Sequence, residues 1–413
     1  MTLLEMGLRA RNAANALACM GSEEKNAALT AISQALLERS GEILAANRED
    51  IALAENAGLS KAMIERLTLT QERLAGIARA ILKVRDLPDP VGEVLEARTL
   101  YNGLRLEKRR VPMGVICVIY ESRPNVTVDS AVLCLKAGSA AILRGGGKET
   151  IRSNLALEAV MRAALESVHA NPDCVQLVHD TARETARELM GMRGAIDLLI
   201  PRGGAGLIRS VVENAKVPVI ETGAGNCHVY VDAKANLEMA AGIIQNAKMQ
   251  RPSVCNAAET LLVHKDVAAE FLPMAQRALA GCELRGCARA AAILPGIALA
   301  TEEDYATEYN DYILAVRVVD SLEEAIAHIA RYTTHHSEAI ITEDAQAAET
   351  FMRRIDAAAV YHNASTRFTD GEEFGLGAEI GISTQKMHAR GPMGLREICS
   401  YKYFVRGEGQ VRG

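Results

Sequence analysis

The sequence has no tryptophan, few other aromatic residues and no long apolar segment. It contains ten Tyr and five Phe, and its formal net charge is −6. These features argue against the aromatic platforms and the basic surface by which proteins bind nucleic acids. No apolar run approaches the roughly 18 residues that span a bilayer, and Glu5 stands where a secretory signal would be basic or apolar. We therefore expect a cytoplasmic protein whose partner is a small molecule, and neither a nucleic acid nor a membrane.

Residues at the spacing of a metal site are also missing. The cysteines lie at positions 19, 117, 134, 174, 227, 255, 282, 287 and 399, and none belongs to a Cys-x-x-Cys pair. Neither a disulfide framework nor a zinc ribbon is indicated. His388 and the pair His335-His336 have no Cys or carboxylate partner at metal spacing, so we expect no metal.

The first part of the chain predicts helices. With 413 residues, of which 49% are hydrophobic, the chain has room for two or three domains. Apolar positions in residues 1–87 recur at near-helical spacing. Ser22 and Thr70 stand as predicted N-caps ahead of acidic or amide residues, and Pro88 and Pro90 end this region.

A β-hairpin is predicted after the helices. Asn102-Gly103 separates two strand-like runs within residues 99–106, which is the signal of a hairpin with a two-residue loop. A charged run, residues 107–110, follows. Such a ribbon has unpaired edges that often pair with another subunit.

From Val111 onward, short apolar runs alternate with helical stretches. The predicted strands are residues 115–120, 140–143, 175–178, 196–200 and 217–220 in a first series, and residues 228–231, 260–264, 313–319, 339–342 and 358–361 in a second. Apolar strands with crossover helices form a parallel sheet that is covered on both faces. We therefore predict an α/β fold with a doubly wound nucleotide-binding domain and a second αβ domain.

A single thiol marks the connection between two elements of the second series. Cys255 lies between a helical segment, residues 236–249, and the strand 260–264, on a connection that Pro252 breaks. The neighbouring Arg251 could stabilise a thiolate, the form that attacks a carbonyl or an acyl phosphate. By itself the pattern also fits a small buried hydrophobic cysteine.

Three glycine clusters follow predicted strands. They begin at Gly145, Gly204 and Gly223, and each starts like Gly-x-Gly-x-x-Gly but lacks the last glycine. No P-loop motif occurs either, so neither a Rossmann fingerprint nor a P-loop kinase is indicated. Turn chemistry alone could account for the clusters, although open α/β sheets bind ligands at these strand ends.

Longer segments that together cover essentially the whole chain resemble a known family. The segments are residues 112–116, 121–127, 135–146, 200–206, 250–255, 363–368, 374–379 and 388–394. They resemble the aldehyde dehydrogenase superfamily and, more narrowly, its gamma-glutamyl phosphate reductase family, to which the segments from 363 onward are specific. The resemblance implies the aldehyde-dehydrogenase-like fold.

The resemblance also implies a thioester mechanism. Cys255 matches the nucleophile, and Asn125 matches the amide that stabilises the oxyanion together with the Cys255 backbone N–H. A helix N-cap is the alternative for Asn125, because it opens a helical run. Glu221 matches the carboxylate that activates water in oxidising aldehyde dehydrogenases, a base that a phosphorylating reductase does not need.

Cofactor and substrate positions are carried over in the same way. The positions implied for NADPH/NADP are Arg144, Gly145, Gly146, Lys148, Gly203, Gly204 and Glu308. Arg144 would suit a 2′-phosphate, and Glu308 matches the carboxylate that holds the nicotinamide ribose, unless it is a surface acid. The positions considered for the substrate are Arg123, Arg251, Arg367 and Arg390, since guanidinium grips carboxylate or phosphate with two hydrogen bonds. Any of these could instead be a structural arginine.

The implied architecture has three parts. An NADPH-binding domain would comprise residues 1–98 and 112–230, and a catalytic domain with Cys255 would comprise residues 231–390. A small β oligomerisation element would comprise residues 99–111 and 391–413, so we expect a homo-oligomer.

The implied function is NADPH-dependent reduction of L-glutamyl 5-phosphate to L-glutamate 5-semialdehyde through a Cys255 thioester, the second step of proline biosynthesis. The acyl phosphate would come from a separate glutamate 5-kinase. A non-phosphorylating aldehyde dehydrogenase with Glu221 as base is the alternative. A cysteine hydrolase would need a His paired with Cys255, and an inactive relative would not need Cys255 and Asn125.

Overall fold

A computed structural model describes residues 1–121 and 123–412, and the chain forms two compact units within it. The first unit comprises Met1–Glu221, Leu376–Gly381 and Met393–Gly413, and the second comprises Thr222–Gly375 and Ile382–Pro392. Ser122, part of one segment that carries the family resemblance, lies outside the described residues. Within the described part, no helix is both long enough and apolar enough to cross a membrane.

The α-helices of the described residues are, in chain order, α1 (Leu3–Leu17), α2 (Ser22–Glu38), α3 (Ser40–Asn56), α4 (Lys61–Leu67), α5 (Gln71–Asp86), α6 (Pro124–Lys136), α7 (Ile151–Ser167), α8 (Arg183–Gly191), α9 (Ala205–Asn214), α10 (Leu237–Met249), α11 (Lys265–Ala278), α12 (Ala288–Ile293), α13 (Glu302–Ala306), α14 (Leu322–Tyr332) and α15 (Ala345–Arg354). Short 3₁₀ helices span Pro172–Cys174 and Thr366–Phe368.

The strands of the described residues are β1 (Val94–Thr99), β2 (Arg105–Pro112), β3 (Val115–Tyr120), β4 (Ala140–Arg144), β5 (Val175–Leu177), β6 (Leu198–Arg202), β7 (Cys227–Val231), β8 (Ala258–His264), β9 (Glu283–Gly286), β10 (Ala298–Leu299), β11 (Ile313–Val319), β12 (Ser337–Ile341), β13 (Ala359–His362), β14 (Ile382–Ser383), β15 (Gly391–Pro392) and β16 (Cys399–Arg406).

The central sheet of the first unit is parallel, with strand order β5-β4-β3-β6. Every residue of β3 is buried, as expected for a strand that is covered on both faces. The predicted strand at 217–220 is wrong, because Val219 forms only an isolated bridge with Leu199. Pro218 lies within that run, and a proline has no N–H to donate to a ladder.

The amino-terminal helices follow their sequence signals with one correction. Thr70 caps α5, since its side chain accepts a hydrogen bond from the Arg73 N–H. Ser22, predicted as an N-cap, is instead the first residue of α2, and Gly21 is the cap. The backbone N–H of Gly21 donates to the Glu24 carboxylate at 2.7 Å. An acidic residue of the first turn therefore accepts a hydrogen bond from the cap residue.

The predicted hairpin is present, but its loop is longer than expected. β1 and β2 are antiparallel, with Val94 paired with Arg109 at one end and Thr99 paired with Arg105 at the other. Residues 100–104 form the loop, in which Gly103 has a φ of 84° and its N–H donates to the Leu100 carbonyl. Glycine is favoured there because positive φ is costly for other residues. The two-residue loop was wrong, because the chain turns over five residues.

The carboxyl-terminal strand completes a small sheet with the hairpin. β16 pairs antiparallel with β2 along its whole length, and the order is β1-β2-β16. This sheet belongs to the first compact unit. The sequence had assigned the hairpin and the carboxyl terminus to one element, and they share one sheet.

The sheet of the second unit is also parallel, with strand order β10-β9-β11-β8-β7-β12-β13. The five strands predicted for the second series are present in it. β9 and β10, which the sequence did not indicate, extend one edge, and both are short. The core between this sheet and its helices is apolar, with Ile244 of α10 and Phe271 of α11 fully buried.

The compact units differ from the predicted segments. The chain passes from the first unit to the second after Glu221, ahead of the boundary predicted at residue 230, and Leu376–Gly381 returns to the first unit. β7 accordingly lies in the sheet of the second unit. The functions assigned to the segments stay predictions.

Candidate active site

Cys255 lies on the loop between α10 and β8 and is partly buried. α10 begins after Asn236, whose side chain accepts a hydrogen bond from the Met239 N–H at 3.1 Å. β8 begins at Ala258 and is buried throughout. The thiol is therefore carried by a short connection between two rigid elements, as the sequence predicted.

Two residues that precede and begin β7 hold the peptide of Cys255. The Cys227 thiol donates to the Cys255 carbonyl oxygen at 3.2 Å, and a Cβ at Gly225 would overlap that oxygen. Burial raises the pKa of Cys227 well above its ordinary value, so the thiol keeps the proton that it donates. Only glycine allows this close approach of the two backbones.

Glu308 continues this set of contacts. Its carboxylate accepts the backbone N–H of Gly225 at 2.7 Å. The carboxylate that the resemblance assigns to the nicotinamide ribose is therefore linked, through Gly225, to the carbonyl of Cys255.

Arg367 braces the loop of Cys255 at both ends. Its Nε donates to Gln250 Oε1 at 3.0 Å, and its Nη1 donates to Asn256 Oδ1. The Asn256 amide in turn donates to the carbonyls of Arg367 and Thr369, at 3.3 and 2.9 Å. Residues on both sides of Cys255 are thus tied to one segment of the chain.

The structure brings two of the four predicted substrate arginines to this loop. Burial lowers the pKa of Arg367, and the neighbouring charge of Arg251 lowers it further, whereas Cys255 acts in the opposite direction. Arg251 is exposed. Two cations therefore act on one another beside the thiol, an arrangement that favours an anionic ligand.

The other two predicted arginines have different surroundings. Arg390 donates to Asp356 Oδ1 at 2.8 Å, and Lys386 forms an ion pair with the same carboxylate at 2.7 Å. Hydrogen bonds from Lys386 and Arg390 lower the pKa of Asp356 to about 2. Arg123 is exposed in the first unit, where it occupies the N-cap position of α6.

Asn125 is the second residue of α6, after Pro124. Its role as an N-cap, the alternative that the sequence left open, is wrong, because Arg123 holds the cap position. The Asn125 amide Nδ2 donates to Asp129 Oδ2 at 3.0 Å. Asp129 was not singled out from the sequence.

The predicted cofactor residues around the end of β4 differ in their surroundings. Arg144 donates from Nη2 to the carbonyls of Thr181 and Ala182, at 2.7 and 3.1 Å. Burial lowers its pKa. Gly145 and Gly146 are buried, and Lys148 is exposed in the turn before α7.

Two of the predicted cofactor glycines are required by contacts within the first unit. A Cβ at Gly145 would overlap Asn154 Nδ2, and one at Gly203 would lie 2.6 Å from Glu121 Cδ. Gly204 is the N-cap of α9, and its N–H donates to Glu121 Oε2 at 2.9 Å. A helix N-terminus that already attracts a carboxylate is a site for anions.

Glu221, the base of the alternative mechanism, is partly buried and is the last residue of the first compact unit.

Sequence patterns did not reveal the contacts around Cys255 and Asn125. Gly225 belongs to a glycine cluster that resembles a phosphate fingerprint, but glycine is required there because a side chain would overlap the Cys255 carbonyl. Asp129 follows Asn125 by four residues, which on a helix places both on one face. That spacing was the one available signal.

The chain was compared with known proteins. Residues 9–296 match the model of the "Aldehyde dehydrogenase family". The chain is 56% identical over 413 residues to "Gamma-glutamyl phosphate reductase" of Carboxydothermus hydrogenoformans. The match covers 100% of this chain and 99% of that protein. It is 57% identical over 408 residues to the protein of the same name from Moorella thermoacetica, covering 98% and 97%.

The fold has a solved counterpart. The crystal structure of gamma-glutamyl phosphate reductase from Thermotoga maritima matches with a TM-score of 0.98 and 48% identity, covering 100% of both chains. This likeness confirms the α/β fold of the aldehyde dehydrogenase type that the sequence predicted.

Proposed function

The chain belongs to the aldehyde dehydrogenase family and, within it, to the gamma-glutamyl phosphate reductases, and from this premise we propose how its residues perform the reaction. The reaction is reduction of L-glutamyl 5-phosphate to L-glutamate 5-semialdehyde and phosphate, a step of proline biosynthesis. The observation that carries the proposal is the braced thiol loop, in which Gly225, Cys227 and Arg367 hold the backbone around Cys255.

Cys255 is the nucleophile of this mechanism. Its thiolate attacks the acyl carbon, a C–S bond forms, and the C–O bond to phosphate breaks, which releases phosphate and leaves a thioester. A nicotinamide cofactor, when bound, would supply the hydride needed to reduce the thioester carbon. The C–S bond then breaks, the aldehyde leaves, and the thiolate returns.

Asn125 and the backbone N–H of Cys255 stabilise the oxyanion that forms during attack. An oxyanion donor is worth about 10²- to 10³-fold in rate. A fixed loop suits this role, because the N–H and the thiol of Cys255 keep one geometry when Arg367 ties Gln250 and Asn256 together.

NADPH is the proposed cofactor. Gly145, Gly146, Gly203 and Gly204 follow strands β4 and β6, where the resemblance places the phosphates of the cofactor, and Lys148 would supply a cation. Since Arg144 already donates to two backbone carbonyls, it would meet a 2′-phosphate with its remaining N–H groups. Glu308 would bind the nicotinamide ribose.

Arg251 and Arg367 are the proposed cations for the substrate anions near the thiol. Support comes from the pKa of Arg367, which the charge of Arg251 lowers and Cys255 raises. Arg123 and Arg390 stay candidates, with the reservation that a ligand of Arg390 would compete with Asp356.

The remaining proposals concern the setting of the enzyme. The cysteines outside the Cys255 loop carry free thiols, which suits a reducing compartment such as the cytoplasm. A separate glutamate 5-kinase would supply the acyl phosphate, and the β1-β2-β16 sheet would join subunits of a homo-oligomer.

The reverse reaction tests this function. Purified protein is incubated with glutamate 5-semialdehyde, NADP⁺ and phosphate, and NADPH is followed by its absorbance. We expect phosphate-dependent formation of NADPH that Cys255→Ala abolishes and Cys282→Ala, a matched change in the same unit, preserves. NADPH formation that needs no phosphate would show the non-phosphorylating dehydrogenase with Glu221 as base instead, and replacement of NADP⁺ by NAD⁺ tests the cofactor preference.

A further inference from the structure

The carboxylate of Asp129 is the direct partner of the Asn125 side chain. The two residues are four positions apart in the first two turns of α6, so they lie on the same face of the helix. The hydrogen bond runs from Asn125 Nδ2 to Asp129 Oδ2 at 3.0 Å. Asp129 has no place in the reaction proposed above.

The chemistry of the two groups makes this bond directional. A carboxamide has two N–H donors on nitrogen and only acceptors on oxygen, whereas an ionised carboxylate only accepts. An ionised Asp129 therefore bonds Asn125 through nitrogen and rejects the flipped amide. The second N–H of Nδ2 is left to donate to another acceptor.

We propose that Asp129 is a positioning residue, which orients the Asn125 carboxamide so that an N–H, and not the carbonyl oxygen, is available to the substrate oxyanion. This inference rests on the proposed function, in which Asn125 donates to that oxyanion. In this proposal Asp129 acts on the substrate only through Asn125.

The surroundings of Asp129 determine the pH range in which it is ionised and can orient the Asn125 amide. Burial raises its pKa to about 6, while the hydrogen bond from Asn125 and the charge of Arg202, at the end of β6, act in the opposite direction. The carboxylate is ionised at neutral pH and gains a proton in mildly acidic solution. A protonated Asp129 can donate to the amide oxygen, so both orientations of the amide then become permitted.

The test compares single and double variants in the reverse reaction. Asp129→Ala removes the acceptor, and we expect kcat to fall at least about tenfold but by no more than the roughly 10²- to 10³-fold loss expected for Asn125→Ala, the removal of an oxyanion donor. KM for phosphate should change little. The double variant Asn125→Ala/Asp129→Ala should be no slower than Asn125→Ala alone, because Asp129 acts only through Asn125.

Isosteric variants supply the second readout. Asp129→Asn keeps the shape but allows either amide orientation and cannot titrate. The wild-type enzyme should lose kcat on acidification through about pH 6, and this loss should be absent from Asp129→Asn, whose rate at neutral pH should already be reduced. Asp173→Asn, the same change elsewhere in the first unit, should match wild type throughout.

The outcomes separate the two proposals. If Cys255→Ala and Asn125→Ala abolish or slow the reaction while Asp129→Ala does not, the proposed function stands and the positioning role is refuted. A double variant that is slower than Asn125→Ala by the full factor of Asp129→Ala would also refute it. So would a fall in the rate of Cys255 alkylation by iodoacetamide in Asp129→Ala, because the loss of activity would then come from a general disturbance of the structure. If Asn125→Ala keeps full activity, the oxyanion role of Asn125 fails, and the inference fails with it.

Discussion

Several side chains of the candidate site are already bound to other groups of the chain. The guanidinium of Arg367 is hydrogen-bonded to Gln250 and Asn256, and that of Arg144 to two backbone carbonyls. Such bonds hold a charge in place before a ligand arrives, which reduces the conformational entropy lost on binding. They also show that the loop of Cys255 depends on contacts a few residues away from the thiol.

Gly225→Ala tests the closest of these contacts. The new Cβ would overlap the Cys255 carbonyl, so the loop must move, and a shift of about 1 Å at a reacting group can cost about 10²-fold in rate. We expect a loss of that size in the reverse reaction and a changed rate of Cys255 alkylation, measured by mass spectrometry.

Gly242→Ala is the matched control. Gly242 lies inside α10, and its Cβ would meet nothing within 4 Å. Alanine is favoured over glycine in a helix by about 0.5–1 kcal/mol, so this variant should keep full activity and unfold at a slightly higher temperature. Equal activity of both glycine variants would contradict the role assigned to Gly225.

Arg367→Lys tests the brace on the loop. Lysine keeps the positive charge but cannot bond Gln250 and Asn256 with a planar fork. We expect kcat to fall about tenfold or more and the Cys255 alkylation rate to change. Arg353→Lys, at an exposed position of α15, should behave as wild type. A change in KM alone would assign Arg367 to substrate binding without a role in the loop.

At the scale of elements, α10 and β8 are joined beneath the loop that connects them. Lys248 Nζ lies 2.6 Å from Glu259 Oε2, and both side chains are fully buried. Glu259 Oε1 also accepts the Asn310 N–H at 3.2 Å, which ties the segment of Glu308 to β8. Burial raises the pKa of Glu259, while Lys248 opposes that shift.

Lys248→Met should therefore destabilise the protein. Removal of one partner of a buried pair leaves a buried charge, which costs about 3–5 kcal/mol, whereas replacement of both partners by apolar groups is often neutral. We expect a large fall in unfolding temperature for Lys248→Met and recovery of most of it in Lys248→Met/Glu259→Met. Lys234→Met breaks an exposed pair with Asp344 and should cost at most about 1 kcal/mol. A double variant as unstable as the single one would contradict the explanation.

The N-terminus of α9 gives a prediction for cofactor affinity. Glu121 occupies the Gly204 N–H, where a phosphate of the cofactor would bind, and a charge at a helix terminus is worth about 0.3–1 kcal/mol. If the two anions compete, Glu121→Ala should tighten NADPH binding by about two- to fivefold, as measured by fluorescence titration. Glu213→Ala, at the other end of α9, should change nothing, and weaker binding in Glu121→Ala would show that the carboxylate supports the cofactor site.

At the scale of the whole molecule, distant parts of the chain meet in one sheet. β1 and β2 lie between Val94 and Pro112, and β16 lies at Cys399–Arg406. Tyr401, Tyr403 and Val405 of β16 are each at least 50% exposed, and β1 and β16 are the edge strands of this sheet. Exposed apolar side chains on an edge strand suit association with another subunit.

Tyr401→Glu/Tyr403→Glu tests this surface. Charges placed there should oppose association, so we expect a smaller assembly than wild type in sedimentation velocity experiments. Tyr312→Glu changes an exposed tyrosine of the second unit and should leave the assembly intact. An unchanged mass of the double variant would remove this sheet as the subunit interface.

The sequence by itself determined most of the elements and the family, because helical and strand periodicities and turn residues act over a few neighbouring positions. Thr70 marked the start of α5, Gly103 marked a turn, and the motif around Cys255 contributed to the family resemblance. Signals of one residue were less reliable, since Ser22 lies one position past its predicted cap and Pro218 prevented a predicted strand.

Only the tertiary structure decided how the reactive loop is held. Gly225, Cys227 and Arg367 reach the loop of Cys255 from segments far along the chain, and Glu308 holds Gly225. The sequence has no local pattern that pairs these residues. The same holds for Arg144, whose partners follow β5. Such pairings depend on which strands become neighbours in a sheet and how closely their backbones pack, and these are properties of the folded chain rather than of any short segment.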